Sequence, residues 1–213
     1  LSDAHPEIKT PADALARPDL FPAPEDPSLG AVHNCPSGWN CRISTANLFR
    51  AYQAKLKGFD LVAAESGEAL NKSIANAFEN NRGWLGYYWA PTATLGKYEM
   101  VRLGFDVPHD KAEWDRCTSQ PECEDPKPNA WPKSEVYTVV TAAFHRDNID
   151  AYTYLSKRGW ANHTVNGMLA WMADNQASAE DGARHFLMQQ GDIWETWVTP
   201  EAAAKVRAHL AAS

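Results

Sequence analysis

The sequence predicts an α/β fold, and three observations carry that prediction. Helical and strand-like segments alternate over the first two thirds of the chain. The last third, from about residue 147, reads as helices only. The composition is that of a globular protein: 213 residues, 44% hydrophobic and 22% charged, enough for one or two domains. Alternation of this kind points to a sheet with mainly parallel strands and helices packed on it.

Each element follows from local signals. Thr10-Pro11-Ala12-Asp13 reads as a cap plus a proline in the first helical position, opening a short helix. Residues 17–38 are rich in Pro, Asp, Ser and Gly and read as an extended loop. Ile43, Leu48, Phe49, Tyr52 and Leu56 recur at near-helical spacing. Phe59–Ala64, after Gly58, reads as a strand. Ser66 caps a helix to about Asn80, with Leu70, Ile74, Ala77 and Phe78 on one face. Trp84–Trp89 reads as a buried strand stopped by Pro91, and Glu99–Leu103 as another strand. Residues 105–133 hold five prolines and read as loop. Val136–Thr141 is β-branched and strand-like. Residues 147–158, 164–176, 178–190 and 200–212 read as helices, with Ser178-Ala-Glu-Asp181 as a capping box.

Composition excludes several function classes. Twenty Lys and Arg against 27 Asp and Glu give a net charge of −7. That argues against nucleic acid or an anionic membrane surface as partner. The longest apolar runs fall far below the roughly 18 residues of a membrane helix. Nine Trp are more than core packing needs, because each buried indole N–H wants a partner. Such a surplus points to aromatic recognition of sugars or of quaternary ammonium groups.

The four cysteines fall into two pairs, Cys35 with Cys41 and Cys117 with Cys123. The spacing is wider than zinc sites use, and no His supports either pair. Two local disulfides are the better reading, each worth about 2 kcal/mol in the chain-entropy picture. They predict an oxidising, periplasmic or secreted compartment. The chain starts Leu-Ser-Asp, so a signal peptide is expected to have been removed or to lie outside this sequence.

Catalytic motifs, phosphate loops and metal-ligand spacings are absent, and the seven His are scattered. No enzyme, no cofactor and no metal are expected. Two other segments stand out. Cys35-Pro36-Ser37-Gly38-Trp39-Asn40-Cys41 is a pinned loop with Trp39 near its end. A helix starting just beyond would place the loop at a positive dipole end, suited to a carboxylate. The bland reading is that Trp39 merely covers the disulfide. In Gly86-Tyr87-Tyr88-Trp89-Ala90-Pro91, strand alternation sends Tyr87 and Trp89 to one face and Tyr88 to the other. Trp89 would sit at the strand's carboxyl end, where open α/β sheets bind ligands. A buried aromatic strand explains that segment equally well. Trp160, Trp171, Trp194 and Trp197 read as core packing; Trp114 and Trp131 flank the second cysteine loop without an assigned role.

At these residues the sequence resembles the periplasmic glycine betaine/proline betaine/choline-binding proteins of ABC importers. The matching pieces are Cys35-Pro-Ser-Gly-Trp39-Asn-Cys41, Gly86-Tyr-Tyr-Trp89-Ala-Pro91 with Lys97-Tyr98 and Val101-Arg-Leu103, Ser134-Glu-Val-Tyr-Thr-Val-Val140, and Tyr154-Leu-Ser-Lys157. The resemblance implies a type II bilobal binding-protein fold: residues 1–131 as a complete second lobe, and 132–213 as the returning strand and helices of an incomplete first lobe. It implies a cage for a quaternary ammonium ligand, with Trp39 and Trp89 at cage positions; strand alternation adds Tyr87 as a ligand-binding candidate on the face of Trp89. It also implies carboxylate contacts from the backbone of Asn40 and Cys41. A membrane permease is the implied protein partner. One departure is that Thr92 and Ala93 stand where family members often carry a second aromatic. The Val136–Thr141 strand would lack sheet neighbours, which predicts low stability or self-association through the incomplete lobe. The alternative reading is a secreted, aromatic-rich carbohydrate-binding module. It explains the Trp and disulfides but not the paired loop and strand motifs.

Overall fold

The computed structural model describes residues 4–212. In chain order its elements are α1 (Pro11–Leu15), β1 (Gly30–Asn34), α2 (Asn40–Ala51), β2 (Phe59–Ala63), α3 (Gly67–Glu79), α4 (Ala93–Lys97), α5 (Lys111–Glu113), α6 (Ala142–Asp147), α7 (Ile149–Lys157), α8 (Asn162–Asn175), α9 (Ala179–Gln189), α10 (Gly191–Trp194) and α11 (Pro200–Ala212), with short 3₁₀ and π-type turns between some of them. The fold is a helix-rich mixed one around a small parallel sheet, so the α/β prediction holds. The chain forms two compact units. The first runs to Trp89 and resumes over Tyr98–Lys133; the second takes Ala90–Lys97 and the chain from Ser134 onward.

In the first unit β1 and β2 pair in parallel, Gly30 opposite Phe59 through Asn34 opposite Ala63. β1 lies inside the stretch read from sequence as loop. Its residues Gly-Ala-Val-His-Asn offer one β-branched side chain and no apolar run, so only pairing with β2 makes it a strand. Conversely, Trp84–Trp89 forms a single bridge, Gly86 to His33, and not a strand. Glu99–Leu103 is irregular as well. The core joins Ala14 and Leu15 of α1 to Phe21, Ala54 and Phe59, all at most 5% exposed. The caps behave as predicted. Thr10 and Asp13 form a reciprocal capping box on α1, and Ser66 accepts from the Ala69 N–H at the start of α3.

Both disulfides form as predicted, Cys35–Cys41 and Cys117–Cys123. The proline-rich segment after residue 105 is mostly loop, yet it is tightly held. Asn129 is fully buried; its side chain accepts from the Asp110 and Ala130 N–H groups and donates to the Asp110 carbonyl. Asn47, buried on α2, donates to the carbonyls of Cys117, Thr118 and Gln120 at 2.8–3.1 Å. Arg50, one turn on, donates to the Cys123 carbonyl. Burial pushes the Glu113 carboxyl up, but its bonds from Arg116 and the Lys127 N–H outweigh that and hold it below the usual carboxylate range.

The second unit is helical. α4 lies against α8 so closely that a Cβ on Gly96 would stand 2.0 Å from the Asn166 carbonyl oxygen, which is why glycine is required there. Asn166 also accepts from the Thr92 N–H at 2.7 Å. Trp194 and Trp197 are 3% and 6% exposed and pack with Ala203, and the Trp194 indole donates to the Leu187 carbonyl at 2.8 Å. Core packing therefore holds for these two. Trp160 differs: it is 45% exposed, with the Arg158 guanidinium over its ring. Ser178 and Asp181 form the predicted capping box.

Val136–Thr141 is not a strand. Among the described residues, Val136–Val140 make no backbone hydrogen bonds, and Val136, Tyr137 and Val139 are 94%, 78% and 87% exposed. A strand is defined by its ladder, so β-branched residues alone do not make one. Among the described residues, no helix is long and apolar enough to cross a membrane.

The Asn47 bonds give a direct test. Asn47→Ala should lower stability by about 1–3 kcal/mol and expose the Cys117–Cys123 loop to amide exchange. An unchanged urea midpoint with unchanged exchange would show that the loop holds itself.

Candidate functional site

The site is built from two ends of the first unit's sheet region. β1 runs into the first disulfide loop at Asn34. The Asn34 side chain accepts from the Cys35 N–H at 2.7 Å and donates to the Arg42 carbonyl at 3.1 Å, tying the strand's end to the first turn of α2. Gly38 takes φ +84°, a left-handed turn that side chains rarely adopt, and thereby turns the chain into Trp39. Trp39 is the N-cap of α2, and no side chain caps that helix. The first-turn N–H groups, Asn40 and Cys41 among them, stand at its positive end.

Trp89 arrives from the other side. Gly86 bridges to His33, and the chain continues through Tyr87 and Tyr88. Trp39 and Trp89 meet edge to face, ring centroids 5.1 Å apart and planes at 73°. Trp39 keeps 38% of its surface exposed. Two indoles at a steep angle beside unsatisfied backbone N–H groups offer π-faces to a cation and donors to an anion.

The structure thus brings together Trp39, Trp89, Asn40 and Cys41. It groups Tyr87 elsewhere: its ring packs on Trp131 at 4.5 Å, and burial pushes its hydroxyl pKa up. The alternation argument misplaced it because the segment has one bridge rather than a strand's regular pleat. Tyr88 takes the neighbouring place, stacked on Trp89 at 4.5 Å and 29°. The sequence signal for Tyr88 was only its adjacency to Trp89. Trp131 and Trp114, unassigned from sequence, lie 5.0 Å apart in a row with Tyr87. Together with Tyr52, Phe105 and Thr45, Tyr87 and Trp131 line a cavity of about 110 Å³.

Behind the indoles lies His33, stacked on Trp84 at 5.1 Å and 6°. Burial holds its pKa down to about 4. The ring is neutral at pH 7 and adds no positive charge near the indoles. Among the described residues no group of His, Cys, Asp and Glu could hold a metal ion.

Residues 1–189 match the family described as the substrate-binding domain of the ABC-type glycine betaine transport system. The chain belongs to this family. The family is one of transport substrate-binding proteins and not an enzyme family, and membership supports an ABC substrate-binding role. Proteins of this family bind small ligands and work with ABC permeases. Among solved structures the chain is similar to an ABC-transporter choline-binding protein in an unliganded semi-closed conformation. The identity is 16% and the TM-score 0.49, covering 99% of this chain and 67% of that one. No curated protein matches the chain.

The buried His33 makes stability depend on pH. Its folded pKa of about 4 lies below the unfolded value of 6.5. The unfolded chain therefore binds the proton more readily, and stability present above pH 6.5 is lost as pH falls through 4. The loss is on the order of 3 kcal/mol. His33→Phe keeps a flat ring against Trp84 and should show a correspondingly shallower fall in urea-unfolding free energy from pH 7 to pH 4. Equal slopes would mean that His33 is not held neutral.

Proposed function

We propose that this protein binds a quaternary ammonium compatible solute for an ABC importer, glycine betaine, proline betaine or choline being the class. Trp39 and Trp89 supply the cation-binding faces, and the Asn40 and Cys41 backbone N–H groups the carboxylate or hydroxyl contacts. The observation that carries this reading is the edge-to-face pair of Trp39 and Trp89 next to the uncapped start of α2. A trimethylammonium group has no hydrogen to donate, so polar side chains cannot select it. Indole faces can, at about 0.5–2 kcal/mol each depending on desolvation. In a betaine, a carboxylate one methylene away then meets donors at a helix start, where charged hydrogen bonds add roughly 1.5–3 kcal/mol each. The cysteine loop fixes the two elements together, so little order has to be acquired on binding. A family of glycine betaine transport supports the same ligand class. By the same reading the protein works outside the cytoplasmic membrane, handing its ligand to a permease, and contributes to osmoprotection.

The reading is tested by tryptophan fluorescence titrated with glycine betaine, choline and, as control, glucose at millimolar concentrations. Both quaternary ammonium compounds should change the emission, and glucose should not. Trp39→Ala and Trp89→Ala should each weaken binding roughly tenfold without lowering the melting temperature by more than a few degrees. Normal binding by both variants would refute the site.

We also assign self-association of this chain to the unpaired stretch around Val136, Tyr137 and Val139. An extended apolar segment without ladder partners is a template for another strand. Sedimentation should show concentration-dependent oligomers that dissolve in the Val136→Lys/Val139→Lys variant. Oligomers unchanged by that substitution would place the contact elsewhere.

A further inference from the structure

We infer that Tyr88 is a positioning residue for the cation site, holding the plane of Trp89 through a hydroxyl tie to Asn71 on α3. The inference rests on the quaternary ammonium reading above and deepens it. The Tyr88 ring covers one face of Trp89, with centroids 4.5 Å apart and planes at 29°. Its hydroxyl donates to Asn71 Oδ1 at 2.5 Å, across 17 residues of chain. The ring also meets Trp84 edge to face at 6.4 Å and 89°. Trp84 is itself tied to α3: its indole N–H donates to Ser73 Oγ at 2.9 Å, and that hydroxyl donates to the Leu70 carbonyl.

α3 is a firm base for these ties. Leu70 and Ile74 are fully buried, and Ser66 caps the helix. The segment carrying Trp89 has no such base of its own, since its backbone bonding to β1 ends at the Tyr87 N–H, which donates to the His33 carbonyl at 3.2 Å. Side-chain bonds to α3 therefore do what strand pairing would otherwise do.

The consequence is directional. A cation is attracted to the face of an indole and not to its edge. Tyr88 occupies one face of Trp89, which leaves at most the other, next to Trp39, for a ligand. Whether that face is presented at a fixed angle to Trp39 depends on the plane of Tyr88, which the Asn71 bond sets. Loss of the hydroxyl should leave the rings in place but let them tilt.

The test uses Tyr88→Phe, Asn71→Ala and the double variant in this chain, titrated with tetramethylammonium chloride and with glycine betaine by indole N–H resonances. Tetramethylammonium reads the cation half alone. Each single variant should weaken both ligands by a similar factor of about three to ten, the worth of one hydrogen bond. The double variant should be no weaker than the worse single one, because both remove the same bond. Melting temperatures within a few degrees of the parent establish that the folded protein is being titrated. A merely structural role would lower the melting temperature and leave tetramethylammonium binding unchanged. Parent-like binding by Tyr88→Phe, or losses that multiply in the double variant, would overturn the inference while leaving the ligand reading intact. Absence of binding by the parent chain to either compound would overturn both.

Discussion

One side-chain amide organises the first unit. Asn47 sits buried on α2 and donates to three carbonyls of the second disulfide loop. The same helix begins inside the first disulfide loop, at Asn40 and Cys41. α2 is thus a strut between two cysteine-stapled loops. Its N-terminal end presents the uncapped N–H groups beside Trp39, and its middle fixes Cys117–Gln120. A buried amide with three acceptors is satisfied only in that one arrangement. The loop cannot shift without leaving carbonyls and an amide unpaired in the interior, so α2 is held both at its start and past its middle.

The aromatic surplus resolves into distinct jobs. Trp194 and Trp197 are core residues of the second unit. Trp114 and Trp131 form, with Tyr87, a row packed against the stapled loop. Trp84, Tyr88, Trp89 and Trp39 form another row, backed by His33 and tied to α3. Only the last row ends at an exposed indole next to free backbone donors. The two rows use neighbouring residues: Tyr87 packs on Trp131, while Tyr88 stacks on Trp89. Which side leads to the site was decided by the packing of α3 and Trp131, not by the letters of the segment.

The second unit shows that strand-like composition alone does not make a strand. Val136, Tyr137 and Val139 have the composition of a strand and lie exposed to solvent. Residues of α7, α9, α10 and α11 pack around Trp194 and Trp197, and the backbone hydrogen bonds of each helix close within its own segment.

Local chemistry was readable from the sequence for the same reason. Caps at Thr10, Ser66 and Ser178, the helices of the last third, both cysteine pairs and the Gly-Trp loop all depend on residues within a few positions of one another. Their energies are settled by neighbours in sequence. Of the strands, only the one read over Phe59–Ala64 forms, as β2 over Phe59–Ala63. β1 was missed and Trp84–Trp89, Glu99–Leu103 and Val136–Thr141 were over-assigned, because a strand exists only through partners far along the chain. The exchange of Tyr87 for Tyr88 at the candidate site has the same origin. The sequence by itself determined the family, the two stapled loops, the helices and the pair Trp39 and Trp89. Tertiary structure alone decided which segments became sheet and which aromatic ring stands behind Trp89, since both depend on contacts that no local stretch contains.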